Sequence, residues 1–301
     1  MEKATRQRTC GTINQLVKQI TNYQFTKNLM KTLYISDLDG TLLDSTPKTT
    51  EFTNKTISEL LDNGVIFSFA TARSYTTAKK VTVGLPMKYP AVVHNGTFIV
   101  DENGKILLKN TFSKNDSDFI LSTILDNNLN PLVYSLINEK EQFSYIRSTL
   151  NEPTLDFLST RENDPRNREV FDQNSLFDGE VYYFTLIGDE DKTKPLYNKF
   201  KETYQCFYQR DMYSGEYWLE ILPKGATKAN AVKQLSKMLS CDRIVAFGDG
   251  INDVDMFEHS DECYAMENAV ENLKKIATGV IKNNNENGVA IYLKHNALPS
   301  C

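Results

Sequence analysis

Two aspartates one residue apart are the first candidates for chemistry in this sequence. Asp37 and Asp39 follow directly on the hydrophobic run 33–36, and Gly40 and Thr41 come next. Side chains two residues apart on an extended chain point the same way, so both carboxylates can face one site. Gly40 lets the chain turn away, and the Thr41 hydroxyl can hydrogen-bond within that turn. Because Mg²⁺ takes few protein oxygens and completes its shell with waters and phosphate, the pattern favours a magnesium site over an ordinary acidic turn.

A second acidic group follows a later hydrophobic run. Asp249, Asn252 and Asp253 come directly after the run 243–247. An aspartate N-cap beside a glycine turn would account for Asp249 alone, but it does not explain Asn252 and Asp253 at the same helix start. Open α/β sheets bind their ligands beyond the carboxyl ends of the strands, so we expect the two acidic groups to meet there.

Residues that could bind a phosphate follow two further predicted strands. Thr71, Ala72 and Arg73 come after the run 65–69. A hydroxyl and a backbone N–H at a helix start suit a phosphate oxygen, although a threonine N-cap would be the preferred interpretation in isolation. Lys228 lies in the first turn of a predicted helix after the run 217–222. A lysine there opposes the helix dipole and indicates an anionic partner, with a solvated surface lysine as the alternative.

The elements that must position these side chains alternate between strands and helices. Short buried runs predict strands, Gly64 is placed to end a helix, and Asn103-Gly104 predicts a hairpin between 98–100 and 106–108. Strand, helix, strand is the pattern of a parallel α/β sheet. The predicted strands are 33–36, 65–70, 91–93, 217–222, 243–247, 262–266 and 279–281, and the predicted helices are 49–63, 74–83, 227–239, 251–258 and 269–277.

The middle of the chain, residues 113–216, is crowded with tyrosine and phenylalanine. Its predicted elements are helices 114–127, 148–158 and 191–204 and strands 181–187 and 205–209, with further short strands between them. That is an α+β arrangement, separate from the surrounding α/β pattern. We therefore expect a core of residues 30–112 and 217–301, a smaller domain of residues 113–216 inserted into it, and an N-terminal extension of residues 1–29 with little regular structure.

Composition argues against several classes of protein. The 301 residues carry 34 basic and 39 acidic side chains, a net charge of −5, which disfavours a nucleic acid or an anionic membrane surface as partner. Mean hydropathy is −0.43, and no apolar run of about 18 residues predicts a membrane span. The five cysteines are scattered and residues 1–29 lack the apolar stretch of a secretory signal, so we expect a cytoplasmic protein with reduced thiols. The three histidines form no pair, which disfavours zinc and favours surface or helix-end positions.

Together these features resemble the haloacid dehalogenase-like (HAD) superfamily, and within it the Cof-like hydrolases with a large α/β cap. The resemblance runs from about Met30 to about Leu293, so residues 1–29 lie outside it and are expected to be dispensable. Ala72 stands where a glycine is usual, a change that keeps the backbone N–H. The sequence runs 95–96, 266–269 and 287–289 also match the pattern of the Cof-like hydrolases. The main motifs are matched, in order, by Asp37 with Asp39, by Thr71, by Lys228, and by Asp249 with Asp253.

The resemblance implies a Rossmann-like parallel sheet core with an inserted α+β cap domain, and a defined chemistry. Asp37 would attack phosphorus to form an aspartyl phosphate. Asp39 would protonate the leaving alkoxide and then take a proton from water, for which it needs neighbouring carboxylates and partial desolvation. Mg²⁺ would be held by Asp37, the Asp39 carbonyl and Asp249, with Asn252 and Asp253 supporting its water shell or Lys228. The phosphate would be bound by Thr71, Ala72, Arg73, Asn95 and Lys228.

The second aspartate of the first motif is the phosphatase and phosphomutase signature of this superfamily. We therefore expect a Mg²⁺-dependent phosphatase for small phosphorylated metabolites (sugar phosphates or phosphorylated cofactors), a monomer or homodimer without a nucleic-acid or membrane partner. The cap would exclude water and select the leaving group. A phosphomutase or phosphotransferase and a non-catalytic phosphate-binding regulator are the alternatives. No P-loop, dinucleotide fingerprint or EF-hand loop competes with this interpretation.

Overall fold

The computed structural model describes residues 30–210 and 215–298, so the predicted extension 1–29 lies outside the described residues. The strands of its first sheet are β1 Thr32–Ser36, β2 Ile66–Phe69, β12 Arg243–Gly248, β13 Glu262–Met266 and β14 Gly279–Ile281. All neighbours pair in parallel, in the order β14-β13-β12-β1-β2. The predicted α/β class is thereby confirmed, and the carboxyl ends of β1 and β12 lie side by side.

Amphipathic helices cover this sheet. The first begins after Thr50, whose hydroxyl accepts a hydrogen bond from the Thr53 N–H, and it ends before Gly64 at φ +85°. Among residues 30–210 and 215–298, no helix is both long enough and apolar enough to cross a bilayer. The helices around the first sheet are α1 Glu51–Asp62, α2 Tyr75–Val81, α6 Lys228–Met238, α7 Val254–Glu258, α8 Glu271–Ile276 and α9 Gly288–Asn296.

The strand predicted at 91–93 joins a different sheet from the one expected. β3 Ala91–Val93 pairs antiparallel with β4 Phe98–Val100, which pairs with β5 Ile106–Lys109. The predicted hairpin is therefore present, but only one parallel bridge, from Ala70 to Val92, joins β3 to the end of β2. The chain reverses tightly after Val93, so β3 directs most of its backbone hydrogen bonds to β4 rather than to β2.

The inserted region forms its own sheet and its own hydrophobic cluster. We refer to this inserted region as the cap domain. Its strands are β6 Leu132–Ile137, β7 Lys140–Tyr145, β8 Asn167–Glu169, β9 Glu180–Gly188, β10 Gln205–Arg210 and β11 Tyr217–Leu222. They form one sheet in the order β10-β11-β9-β6-β7-β8, and every pairing is antiparallel except that of β7 with β8. Two of its helices supply buried residues to the cluster, among them Ile120 and Phe200. The helices of the cap domain are α3 Lys114–Asp126, α4 Glu152–Ser159 and α5 Glu190–Phe200.

The prediction that the core resumes at residue 217 is wrong for the strand 217–222. This strand, β11, lies between β10 and β9 in the cap sheet. Leu219 and Ile221 pack into the cap's hydrophobic cluster, which holds the strand in that sheet. The chain therefore returns to the first sheet only after Leu222, and we propose that the cap domain comprises residues 113–222.

Candidate active site

Lys228 lies among the aspartates at the carboxyl edge of the first sheet. Its Nζ is 2.8 Å from Asp37 Oδ1 and 2.7 Å from Asp253 Oδ1, and all three side chains are buried. Burial opposes the positive charge, but the two carboxylates together raise the pKa of Lys228 above its usual value. Thr227 caps α6 by accepting a hydrogen bond from the Asn230 N–H, which sets Lys228 at the first helical position. The lysine therefore remains an ammonium ion that joins the ends of β1 and β12.

Asp253 and Thr41 hold Asp249 in place. Asp253 Oδ2 accepts hydrogen bonds from the backbone N–H groups of Asp249 and Gly250, each at 3.0 Å. The Thr41 hydroxyl donates to Asp249 Oδ1 at 2.7 Å. Asp249 thus faces Asp37 across the carboxyl edge of the sheet. The aspartates after β1 and those after β12 lie close together, as expected for residues that follow adjacent parallel strands.

The carboxylates of this edge fit a magnesium ion. Asp37, Asp249 and Asp253 can each bring one carboxylate oxygen within 4.8 Å of the others. Burial raises the pKa of Asp37 to about 8 and that of Asp249 to about 6, and a divalent cation would favour their ionised forms. Both Asp253 oxygens are already hydrogen-bonded within the protein. Asp37 and Asp249 are therefore the side chains that would hold Mg²⁺, with Asp253 supporting them.

Asp39 has surroundings different from those expected. Arg73 donates from Nε to Asp39 Oδ2 at 2.7 Å and from Nη2 to Oδ1 at 2.6 Å. We expected a partly desolvated carboxyl among carboxylates, but the Asp39 side chain is 51% exposed and its charged partner is a guanidinium. The turn at residues 71–73, in which Ala72 is exposed, directs the arginine onto Asp39. Arg73, predicted to bind phosphate, thus binds Asp39 in this structure.

Asn95 connects the loops that follow β2, β3 and β12 through hydrogen bonds. Its backbone N–H donates to the Thr71 carbonyl at 2.9 Å, and its Oδ1 accepts from Asn252 Nδ2 at 3.2 Å. The Thr71 hydroxyl oxygen accepts from the Arg73 N–H at 3.1 Å, whereas the N-cap of α2 is Ser74. Thr71 therefore closes the turn before the helix, and its own O–H remains able to donate.

His94 is buried, contrary to the expectation of surface or helix-end histidines. It is 5% exposed, and its Nε2 lies 2.8 Å from Glu141 Oε2 on β7, so it connects the core to the cap domain. The nearby Gly96 packs so closely on the Thr227 carbonyl that a Cβ there would collide with it. The other two histidines agree with the prediction, because His259 ends α7 and His295 lies in the last turn of α9.

A cleft of about 330 Å³ lies between Asp39 and the cap domain. Arg73 is at its core side. The tyrosine and phenylalanine content of residues 113–216 does not by itself locate this cleft, and assigning the strand 217–222 to the core hides the part that β11 contributes. The available signal was the alternation in 217–222, where the strand presents side chains to two different surfaces. The cap side chains that line the cleft include Tyr134, Phe157, Arg161, Tyr183, Trp218 and Glu220.

A parallel α/β core, an inserted cap and a lysine between aspartates at the carboxyl edge define a hydrolase of the haloacid dehalogenase-like class. The chain belongs to that family, because the family described as haloacid dehalogenase-like hydrolase matches residues 34–293. The resemblance drawn from the sequence motifs is thereby confirmed.

Relatives and solved structures agree with this assignment. The chain is 28% identical over 266 residues to the putative phosphatase YkrA of Bacillus subtilis, covering 87% of this chain and 96% of that protein. It is 28% identical over 276 residues to the 5-amino-6-(5-phospho-D-ribitylamino)uracil phosphatase YwtE of the same organism, covering 85% and 95%. A structure from Thermotoga maritima matches with a TM-score of 0.71 at 24% identity over 89% of this chain and 98% of that chain. A haloacid dehalogenase-like hydrolase from Bacteroides thetaiotaomicron matches with 0.71 at 23% identity, over 88% and 98%.

Replacing Lys228 with methionine should destabilise the protein strongly. The change leaves Asp37 and Asp253 buried without their shared cation, and removing one partner of a buried ion pair costs about 3 kcal/mol. Urea denaturation measures the free energy of unfolding. Lys233→Met, at a partly exposed position in the same helix, is the matched control and should change it by less than about 1 kcal/mol. Equal losses in the two variants would contradict the structural role of the ammonium.

Proposed function

We propose that this chain is a Mg²⁺-dependent phosphatase that moves a phosphoryl group from a small organic phosphate to Asp37 and then to water. The observation that carries the proposal is the Lys228 ammonium between Asp37 and Asp253, with Asp39, two residues after Asp37, lining a cleft shared with the cap. The family and the relatives named as phosphatases support a phosphomonoester hydrolase.

Asp37 is the nucleophile in this proposal. Lys228 binds its Oδ1, which leaves Oδ2 as the attacking oxygen. Magnesium bound by Asp37, the Asp39 carbonyl and Asp249 would supply the positive charge that screens an anionic phosphate from an anionic nucleophile. Lys228 and the Thr71 hydroxyl would donate to phosphate oxygens as their charge redistributes.

Asp39 would be the general acid and base, and its pair with Arg73 has a consequence for this role. While Arg73 donates to both of its oxygens, the Asp39 side chain is not placed to donate a proton to a leaving group. A phosphate matches the same guanidinium geometry, so the incoming substrate would take over Arg73 and free Asp39. Once free, Asp39 would take up a proton from the monoanionic phosphate or from solvent, pass it to the leaving oxygen, and later accept a proton from the attacking water. Asn95, bonded to Asn252, would keep the surrounding loops in position.

Hydrolysis of p-nitrophenyl phosphate should require a divalent cation. Chelation by EDTA is expected to lower the rate at least about a hundredfold, and added Mg²⁺ should restore it, because the cation supplies several kcal/mol of charge stabilisation. Calorimetry gives a second readout: Asp249→Asn should weaken Mg²⁺ binding, while the control Asp255→Asn should not. Full activity in EDTA would show that the chemistry does not need the metal.

The experiment that tests the function is a panel of phosphorylated metabolites assayed for released phosphate in the presence of Mg²⁺. The panel includes 5-amino-6-(5-phospho-D-ribitylamino)uracil, the compound in the name of YwtE. Release of inorganic phosphate identifies water as the acceptor. Turnover only when a second alcohol or sugar is added would instead indicate a phosphotransferase.

A further inference from the structure

The cleft beneath the cap has opposite charges in different parts. Arg161 and Arg73 both line it; burial lowers the pKa of the Arg161 guanidinium, and the charges of Arg166 and Arg73 lower it further. This guanidinium stacks 3.5 Å from the centroid of the Phe157 ring. No salt bridge links Arg161 to a carboxylate among residues 30–210 and 215–298. The part of the cleft near Arg73 is therefore suited to the anionic end of a substrate.

Glu220 gives the cleft its acidic part. Its carboxyl is half-buried and lies close to the Tyr183 hydroxyl, and within the described part of the chain no cation pairs with it. Partial burial raises its pKa, and the nearby Tyr183 hydroxyl opposes that rise. A half-buried carboxyl without a cation, in a cleft that a ligand would close off from water, is a favourable partner for a cationic group of that ligand.

The cap sheet holds Glu220 rigidly toward the cleft. Successive side chains of a strand point to opposite faces of its sheet. On β11, Leu219 and Ile221 enter the cap's hydrophobic cluster, so Trp218 and Glu220 face the cleft. Glu220 is in register with Thr185 on the neighbouring strand β9, which also lines the cleft. The carboxyl is thus presented by an inner strand of the sheet rather than by a loop.

Aromatic rings surround this acidic part. Tyr134 and Tyr183 meet edge to face with ring centroids 5.2 Å apart. The Trp218 ring meets Phe157, which carries the Arg161 guanidinium of the basic part, at 5.0 Å. The faces of such rings attract cations, and aromatic enclosures are used to bind ammonium groups. The Trp218 Nε1 is buried without a hydrogen-bond partner, so it can donate to an oxygen of the same ligand.

We propose that Glu220, with the rings of Tyr134, Tyr183 and Trp218, binds an ammonium group on the leaving alcohol and makes the enzyme selective for phosphomonoesters of amino alcohols. The inference rests on the proposed function and adds the class of substrate to it. A zwitterionic substrate matches the cleft because its phosphate lies toward Arg73 and Arg161 while its ammonium reaches Glu220. A hydroxyl in place of the ammonium would make only a neutral donor contact, about half as strong.

Three matched series of phosphates test this selectivity. Aminoethyl, aminopropyl and aminobutyl phosphate are compared with the hydroxyalkyl and the plain alkyl phosphates of the same chain lengths. At the best length, kcat/KM for the amine should exceed that for the hydroxyl by about tenfold, and that for the alkyl compound by more. Equal or better turnover of the hydroxyl or alkyl phosphates at every length would overturn the inference.

Glu220→Gln keeps the shape of the side chain and removes its charge. It should lower the amine-to-hydroxyl ratio of kcat/KM about tenfold, toward unity. The control Glu202→Gln removes an exposed carboxylate from the same domain and should leave the ratio unchanged. A ratio that stays the same in Glu220→Gln would assign the selectivity to another group and contradict the inference.

Two further measurements separate this inference from the proposed function. Wild-type hydrolysis of p-nitrophenyl phosphate tests the phosphatase activity without any ammonium group. Calorimetric binding of aminopropyl phosphonate and butyl phosphonate, which are not hydrolysed, tests ammonium recognition without turnover. Tighter binding of the aminophosphonate by about tenfold, lost in Glu220→Gln, supports the inference even if no phosphate is hydrolysed. Equal binding of the two phosphonates contradicts it even if p-nitrophenyl phosphate is hydrolysed.

Discussion

Asp37→Asn should abolish phosphate hydrolysis while leaving the protein folded. The amide keeps the shape of the carboxylate and can still accept a hydrogen bond from Lys228, but it cannot attack phosphorus. Loss of a nucleophile lowers turnover at least about a thousandfold. Steady-state assay with p-nitrophenyl phosphate measures this loss. Because burial already raises the pKa of Asp37, a neutral side chain suits the position, and the free energy of unfolding should be unchanged or higher.

A control variant and a trapping experiment make this result specific. Asp62→Asn changes an exposed aspartate at the end of α1 and should retain full activity. In the wild type, acid quenching during turnover should give a phosphorylated peptide that contains Asp37, detected by its added mass. Near-normal activity of Asp37→Asn, or a phosphoryl group on another residue, would show that Asp37 is not the nucleophile.

Asp39→Asn should separate substrates by their leaving group. An alkyl phosphate needs a proton on its leaving oxygen, whereas p-nitrophenolate leaves without one. The rate at which the variant hydrolyses alkyl phosphates should therefore fall about a hundred- to ten-thousandfold. With p-nitrophenyl phosphate it should give one burst of nitrophenol and then slow turnover, because asparagine cannot accept a proton from the attacking water. Stopped-flow absorbance measures the burst, and acid quenching measures the accumulated phosphoenzyme.

The pair between Asp39 and Arg73 requires its own control. Asp39→Asn also removes the partner of Arg73, so part of its effect could come from a displaced guanidinium. Arg73→Gln breaks the same pair but keeps the carboxyl. Arg73→Gln should weaken the binding of all phosphate substrates alike, because it removes a group that binds phosphate and not the acid. We therefore expect a higher KM and no burst of nitrophenol. Equal losses of both substrate classes in Asp39→Asn, with no trapped phosphoenzyme, would contradict the acid and base role.

The sequence alone was sufficient to predict the α/β core and the meeting of its two acidic groups. The predicted strand 262–266 agrees residue for residue with β13, and 33–36 lies within β1. Hydrophobic runs bounded by turns are local signals, and they record burial directly. The carboxyl ends of parallel strands share one edge, so the order of strands and acidic turns was enough to bring Asp37 and Asp249 together.

Only the tertiary structure decided which sheet a strand joins and which partner a side chain takes. The run 217–222 is hydrophobic in either sheet, and pairing with β9 and β10 assigns it to the cap. Arg73 could have faced a phosphate, yet the turn after β2 places it on Asp39. His94 is buried because Glu141, 47 residues away, lies opposite it. Such contacts join residues far apart in the chain, and local propensity carries no information about them.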